Sequence, residues 1–537
     1  MNSKAEVGDG IDPITTEVIA QALQNVATEA GVVLMRSAYS PNIKERHDCS
    51  TVVFDASGRV IAQAHHIPIH LGSMIGAIDA LTERHPPESM RPGDMFAAND
   101  PYTGGGSHLP DISVIAPVFH DTRVIAYVAN IAHHADVGGM VPGSEAVACS
   151  SIYQEGLRLP PVRLVSDGRL NDDIVSTILL NSRTPDERAG DLRAQVAANR
   201  SATRNIEAMH ARYGATIQST MDAVLASTET RFRHAIRQVP NGSYEALEWL
   251  SGMTVDTPAR IQIHLTVADE SLHFDFAGTD ASLPAAKNIP RQATLATIYT
   301  VAKALLDPHV PANEGYFRTM TCDAPAGSIV NPLPPAPVGA RSIACGVLSD
   351  AVVAVLSAAR PDLGLAPSGP HHLLNWSGKD PRTGRYFVNY ETVAGGLGAF
   401  SDRDGMDAVR TLASGSANLP VEAAEHAYPL RVTRYALRDG SGGEGEFCGG
   451  RGIVRDYRVL GDEVTVSLSA ERQHEPARGV AGGGDGTRGR FIVSPGTQEE
   501  VEHWSGSQEV VLPRDSMFRV ETPGGAGRGA RHENHEE

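Results

Sequence analysis

Residues 99–136 read NDPYTGGGSHLPDISVIAPVFHDTRVIAYVANIAHHAD, and their central part decides the first fold element. Two apolar runs rich in Val and Ile, "DISVIAPVF" and "RVIAYVANIA", flank a polar "HDT", which is the pattern of a β-hairpin. With the turn centred at Asp121 and Thr122, residues whose numbers sum to about 244 face each other, so Asp111 is expected opposite His133. Opposed residues of an antiparallel pair lie roughly 4.5–5.5 Å apart, close enough for both side chains to reach one ion. His108 precedes Asp111 by three residues across a proline and lies in the loop entering the same strand end.

Residues 50–66, STVVFDASGRVIAQAHH, form a second such pattern around "DASG". Here Asp48 is expected opposite His65 or His66. Both hairpins thus carry His and Asp to strand ends. A set of Asp48, His108, Asp111 and His133 mixes imidazole with carboxylate, which suits Zn, Mn, Fe or Co better than Ca or Mg. Lack of thiolate ligands and an open position favour a catalytic ion over a structural one. His134 and Asp136 fit either groups behind the ligands or a general-base pair for a bound water. His65 and His70 read as structural, and Cys49 as a small buried thiol.

Competing motifs fail on their spacing. "TGGGSH" lacks the Lys-Ser/Thr ending of a phosphate loop. "DVGG" at 136–139 is similar to the phosphate loops of actin-like ATPases, but Met140 stands where Ser or Thr is expected. "AGGGDGTRGR" lacks the strand-then-helix setting of a dinucleotide loop, and "WSGSQ" lacks a nucleophile elbow.

The 537 residues exceed one core and imply several domains. Forty-six Lys and Arg against 64 Asp and Glu give a formal charge of −18, which argues against nucleic acid as principal partner. Five scattered cysteines without a C-x-x-C pair argue against a disulfide framework or a thiolate zinc site. No apolar run approaches the roughly 18–20 residues of a membrane span, and the polar start lacks a signal-peptide pattern. A cytoplasmic protein without membrane association is therefore expected.

The sequence reads as a mixed α+β, multi-domain chain. Antiparallel hairpins and helices fill the N-terminal part, helices the centre, and a β-rich, Gly-punctuated region the C-terminal part. "DPITTEVIAQALQNVATEAGVVLMRS" predicts a helix capped by Asp12, with Ile19, Leu23, Val26, Ala30 and Val33 on its apolar face. A short helix is expected from Ser73, and long helices over 170–235. The Pro-rich 325–340 segment is expected to drape over the surface or a site. Beyond 430, β-like runs alternate with Gly clusters read as tight turns. Expected divisions are 1–165 (metal-site αβ domain), 166–240 (helical), 241–430 (αβ with the Pro-rich loop), 431–530 (β-rich) and a disordered 531–537.

Several long stretches together resemble the hydantoinase B/5-oxoprolinase family. They are "DPITTEVI", "ERHDCSTVVFD", "FAANDPYTGGGSHLPDISVIAPVF", "ANIAHHADVGGMVPGS", "YQEGLRLPPVRL", "RTPDERAGDLRAQVAANR", "DPHVPANEGYFRTM", "APAGSIVNPLPPAPVG", "YPLRVTRYALRDGSGGEGEFCGGRGIVR" and "TPGGAGRG". The resemblance runs over residues 10–530. It implies a B-type subunit of a two-component, ATP-dependent cyclic-amide hydrolase (EC 3.5.2 type). In such a system an A-type ATPase subunit phosphorylates a lactam, hydantoin or 5-oxoproline, and the B-type subunit hydrolyses the activated ring. It also implies a heteromer of A2B2 type, with ATP and Mg used by the partner. The family's metal ligands map onto Asp48, His108, Asp111 and His133. Glu155 becomes a candidate catalytic group beside His134 and Asp136, and Asn99, Asp100, Asn130 and Asn313 become candidate substrate contacts. Ser151 departs from the acidic residue many relatives carry before "IYQEG". The same resemblance admits the large subunit of an acetone- or acetophenone-carboxylase-like complex, or a scaffold that cages the partner's labile intermediate.

Overall fold

The structure, a computed structural model, describes residues 12–531 apart from 65–66, 252–256, 411 and 507–508. His65 and His66, expected opposite Asp48, lie outside the described residues.

Both hairpins form, the first with a bulge between Val53 and Phe54 that sets Val52 opposite Gln63, beyond the expected position 61 or 62. The first consists of β1 (Cys49–Asp55) and β2 (Val60–Gln63). After β3 (Met95–Ala98), the second hairpin consists of β4 (Asp111–His120) and β5 (Arg123–His133), and Asp111 pairs with His133 as expected. With β6 (Val162–Ser166) and β7 (Arg169–Leu170) they build one antiparallel sheet in the order β2-β1-β5-β4-β3-β6-β7. Alternation assigns its two faces. Val53, Val114 and Val128 meet a core containing Ile19, Leu23, Leu192 and Val196 from the helices Pro13–Ser37 and Pro185–Tyr213. Val52, Phe54, Ile115, Tyr127 and Ile131 meet the larger central core. Burial on both faces is why these strands are apolar throughout rather than alternating.

Asp12 caps the first helix by accepting from the Thr15 N–H, and Pro13 occupies its first turn. Two of the expected helix details shift. The helix Ala77–Arg84 begins after Gly76, whose φ of +74° breaks the chain there, rather than at Ser73. Two helices, Pro13–Ser37 and Arg341–Ala359, reach the length and mean hydropathy of a membrane span, where none was expected. The second has 78% of its apolar window buried and fills the central core against the helix Arg291–Leu306 and the sheet containing Gly242–Leu250 and Ala259–Ala268.

Further along, the strands His372–Lys379 and Tyr386–Val393 pair with Glu463–Ser469 and Val510–Pro513. Residues on both sides of the division expected at 430 therefore share one sheet. It stacks on a five-stranded sheet through Trp376, which meets Phe518 edge-on with ring centroids 5.4 Å apart.

The glycine clusters are not principally turns, which corrects the sequence reading. Residues 522–529 run through a bundle of extended segments (364–370, 394–399, 441–452 and 477–487) joined by backbone hydrogen bonds. Gly524 N and Gly527 N donate to the carbonyls of Thr487 and Gly484. Gly525 N and Arg528 N donate to those of Gly450 and Phe447, while Ala526 N donates to Pro367. Residues three apart thus face the same neighbour, the periodicity of polyproline II rather than of a strand. A Cβ at Gly525 would fall on the Leu397 carbonyl, one at Gly449 on the Gly525 carbonyl, and one at Gly527 on the Glu444 carbonyl. These glycines are needed because the segments touch backbone to backbone.

Candidate metal centre

The third strand of contact explains the site. β1 pairs with β5 as well as with β2, in the register Cys49↔Ala132, and the His133 N–H donates to the Asp48 carbonyl at 3.0 Å. Asp48, His133 and Asp111 therefore lie side by side on three adjacent chains. By alternation they share the face of Val52, Ile131 and Ile115. His108 is brought in by the glycine loop. Gly104 has φ +86°, and a Cβ at Gly105 would strike the backbone nitrogens of Asn99 and Asp100 at 2.5 Å. A Cβ at Gly106 would lie 2.9 Å from the Asp111 carbonyl. The three glycines thus let the chain double back so that His108 meets Asp111.

His108, Asp111 and His133 each offer a buried donor atom, and these atoms lie within 4.8 Å of one another. Asp48 sits at the edge of this group, with Oδ1 3.9 Å from His70 Nε2. His70, read from the sequence as structural, reaches over the same face: its Nε2 is 3.5 Å from Asp111 Oδ1, and its Nδ1 3.2 Å from Ser50 Oγ. Three further groups, not anticipated, surround the donors. Glu145 Oε1 lies 2.8 Å from His108 Nδ1 and 3.3 Å from His133 Nε2. Arg341 donates through Nη2 to Asp111 Oδ2 at 2.6 Å and through Nε to Ser107 Oγ at 2.8 Å. The Tyr390 ring stacks on His133 with centroids 4.1 Å apart.

The donor set fits a cation. His108 Nδ1 faces only acceptors, Glu145 Oε1 and the Gly339 carbonyl at 2.9 Å, so its proton belongs on Nδ1. Nε2 then turns its lone pair toward Asp111 Oδ1, 3.1 Å away, and both atoms are buried without a hydrogen-bond partner. Such a pairing calls for a positive charge between them. Burial and Arg341 push the His108 pKa down, but Asp111 and Glu145 outweigh them and raise it to about 9, so a proton on Nε2 fills that place whenever no cation does. Burial would raise Glu145, yet His108 and His133 hold it at about 2. Histidine donating its second nitrogen to a carboxylate is the usual support of a metal ligand.

The other candidates are placed elsewhere. His134 follows His133 by one residue and so points through the opposite face, where its Nε2 lies 3.0 Å from Gln195 Oε1 on the helix Pro185–Tyr213. Burial and Arg188 lower its pKa to about 4. Asn130 shares that face, donating to Asn199 Oδ1 and the Gln195 carbonyl. Asp136 is held by Arg183 at 2.9 Å and accepts from the N–H groups of Gly138 and Gly143. Asn99 clamps the carbonyls of Leu109 and Leu157, and Asp100 accepts from Arg158 and Tyr102. Asn313 caps the short helix Glu314–Phe317 and bonds Thr228. Ser151 caps the 3-10 turn Ile152–Gln154.

Glu155 stands behind the centre. Its Oε1 accepts from the N–H groups of Val338 and Gly339 at 2.8 and 2.7 Å, which fixes the end of the Pro-rich segment. The same Gly339 presents its carbonyl to His108, and Arg341 follows two residues later. Burial raises the Glu155 pKa to about 8 despite those two hydrogen bonds.

A buried His and Asp cluster at a strand end, enclosed by a mixed α+β multi-domain fold, defines the class, and comparison supplies the family. The sequence model of the hydantoinase B/oxoprolinase family matches residues 12–531, and the chain belongs to that family. It is 32% identical to a putative B-type subunit of a D-/L-hydantoinase from a Pseudomonas species, over 91% of this chain and 85% of that one. It is 31% identical to the 5-oxoprolinase of Dictyostelium discoideum over 97% of its own length. The chain spans only 40% of that relative, so the longer protein carries a further part beyond the matched region. The ATP-dependent caprolactamase of Pseudomonas jessenii superposes with a TM-score of 0.90 at 26% identity, over 97% of this chain and 92% of that one. An acetone carboxylase chain shares the fold, with a TM-score of 0.88 at 19% identity over 96% of this chain and 76% of that one.

Proposed function

We propose that this chain is the B-type subunit of an ATP-dependent cyclic-amide hydrolase, acting on a lactam, hydantoin or 5-oxoproline ring that an A-type ATPase partner has phosphorylated. The observation that carries this reading is the convergence of His108, Asp111 and His133, with Asp48 beside them, on one face of the sheet. A divalent Zn, Mn or Fe ion held there would supply Lewis acidity and an acidified water. His108, Asp111 and His133 would hold it, with Asp48 completing the set. Glu145 fixes the His108 tautomer, and Arg341 offsets the Asp111 charge and aims its free oxygen. Tyr390 covers His133 and keeps bulk water from that side. An amide carbon resists attack until its oxygen is phosphorylated, which explains dividing the work between two subunits.

The test is reconstitution with the A-type subunit. Ring opening that needs ATP, the partner and this chain, and that falls on His108→Ala, supports the reading. Bicarbonate-dependent consumption of a ketone without ring opening would replace it with a carboxylase. Undiminished ring opening by the His108→Ala complex would leave only a scaffold.

A further inference from the structure

Beside the donor cluster lie two arginines that have no carboxylate within ion-pair distance among the described residues. Arg46 is fully buried and spends its donors on neutral acceptors: Asn42 Oδ1, the Tyr390 carbonyl, Thr392 Oγ1, Ser416 Oγ and the Ala417 carbonyl. Arg410 donates through Nη2 to the carbonyls of Thr392 and Ala417, so both guanidinium groups meet on the same two residues. Arg410 Nε and Nη1 are buried without a partner. Burial and the Arg46 charge both push the Arg410 pKa down, as befits a cation lacking an anion.

His371 adds a third group. It is 1% exposed, and neither ring nitrogen has a hydrogen-bond partner. It precedes the strand His372–Lys379, in which Leu373 pairs with Thr392 and Asn375 with Tyr390. Alternation places residue 371 on the side of Thr392 and Tyr390, the side that meets Arg46 and His133. Gly395 lies between the two outlying groups, bridged to Val409 on one side and packed against the Pro370 carbonyl on the other. Arg46 finds an acceptor for each of its five N–H groups, whereas the buried Nε and Nη1 of Arg410 and both ring nitrogens of buried His371 find none among the described residues, and such groups are costly unless a ligand satisfies them.

We propose that Arg410 and His371, backed by the charge of Arg46, form an oxyanion subsite that takes the phosphoryl group of the activated substrate and the phosphate released from it. The identity of the anion rests on the hydrolase reading above; the existence of the subsite does not. Two guanidinium charges match a phosphate dianion, whereas a carboxylate would neutralise only one. Tyr390 ties this subsite to the donor cluster, since Arg46 lies 5.1 Å from the ring that stacks on His133.

Calorimetric titration of the full chain with inorganic phosphate tests the proposal, with acetate as comparator and with chelator-treated protein alongside. Phosphate is expected to bind before and after chelation and more tightly than acetate. Arg410→Gln should weaken it by about tenfold, the loss of one charge-assisted contact. His371→Gln should weaken it in the same direction, and serves if Arg410→Gln melts below the assay temperature. Phosphate binding that disappears on chelation, that both variants leave unchanged, or that acetate equals would overturn the subsite. Binding that follows the expected pattern in a chain whose complex opens no cyclic amide would sustain the subsite and sink the hydrolase reading instead.

Discussion

The donor cluster and the glycine bundle both hold distant segments together, and they do so by opposite means. At the cluster, side chains make the contact. Asp48, Asp111 and His133 meet because ladder register sets them in one row, and Arg341, Glu145 and His70 close over them from three other segments. In the bundle, side chains are absent from the contact. Residues 522–529 are gripped on several sides by backbone amides and carbonyls, and any Cβ at Gly525 or Gly449 would occupy a neighbour's carbonyl. The first region concentrates titratable side chains, and the second leaves no room for any side chain at its contacts.

That contrast can be broken or sharpened by substitution. His108→Ala should lower ATP-dependent ring opening by about 1,000-fold, several kcal/mol of transition-state stabilisation, while the chain still folds. Arg341→Met leaves Asp111 buried without its partner and should cost about 3–5 kcal/mol in denaturant unfolding, with Arg341→Lys recovering part of it. In the bundle, Gly525→Ala should cost about 3 kcal/mol through overpacking against a backbone that cannot yield. Gly496→Ala provides the matched control, because its φ is +76° and nothing lies within 4 Å of an added Cβ. It should cost about 1 kcal/mol. Equal losses at positions 525 and 496 would refute the backbone-packing account of the glycines.

A smaller effect concerns Glu155, whose pKa is raised to about 8. A carboxyl that holds its proton more tightly when folded contributes stability that is complete below its unfolded pKa. That contribution is lost as the pH rises through about 8. Glu155→Gln keeps an acceptor for the Val338 and Gly339 N–H groups and cannot ionise. The melting temperature of Glu155→Gln relative to wild type should therefore climb between pH 5 and pH 8.5; a pH-independent difference would contradict the raised pKa.

The sequence made one half of the cluster legible and hid the other. Asp111 opposite His133 follows from a local hairpin whose turn can be seen and whose side chains alternate strictly. Asp48 beside His133 depends on β1 pairing with β5, two strands that are distant in sequence, and no local pattern announces it. The same alternation sends His134 and Asn130 through the sheet to Gln195, away from the site in which the sequence reading placed them. Glu145 comes from an irregular loop without periodicity. Arg341 had a faint signal, being a lone cation at the start of an otherwise apolar helix. The glycine clusters misled because glycine serves two purposes that look alike in one sequence. Some supply positive φ, as Gly104 does, and others supply only the absence of a side chain, as Gly525 does.

Metal analysis of the purified full chain tests the central claim most directly. The account predicts about one divalent transition ion per wild-type chain, as for a single catalytic site, and its loss from folded Asp111→Asn protein. A folded wild-type chain without such an ion that still completes ATP-dependent ring opening with its partner would contradict it.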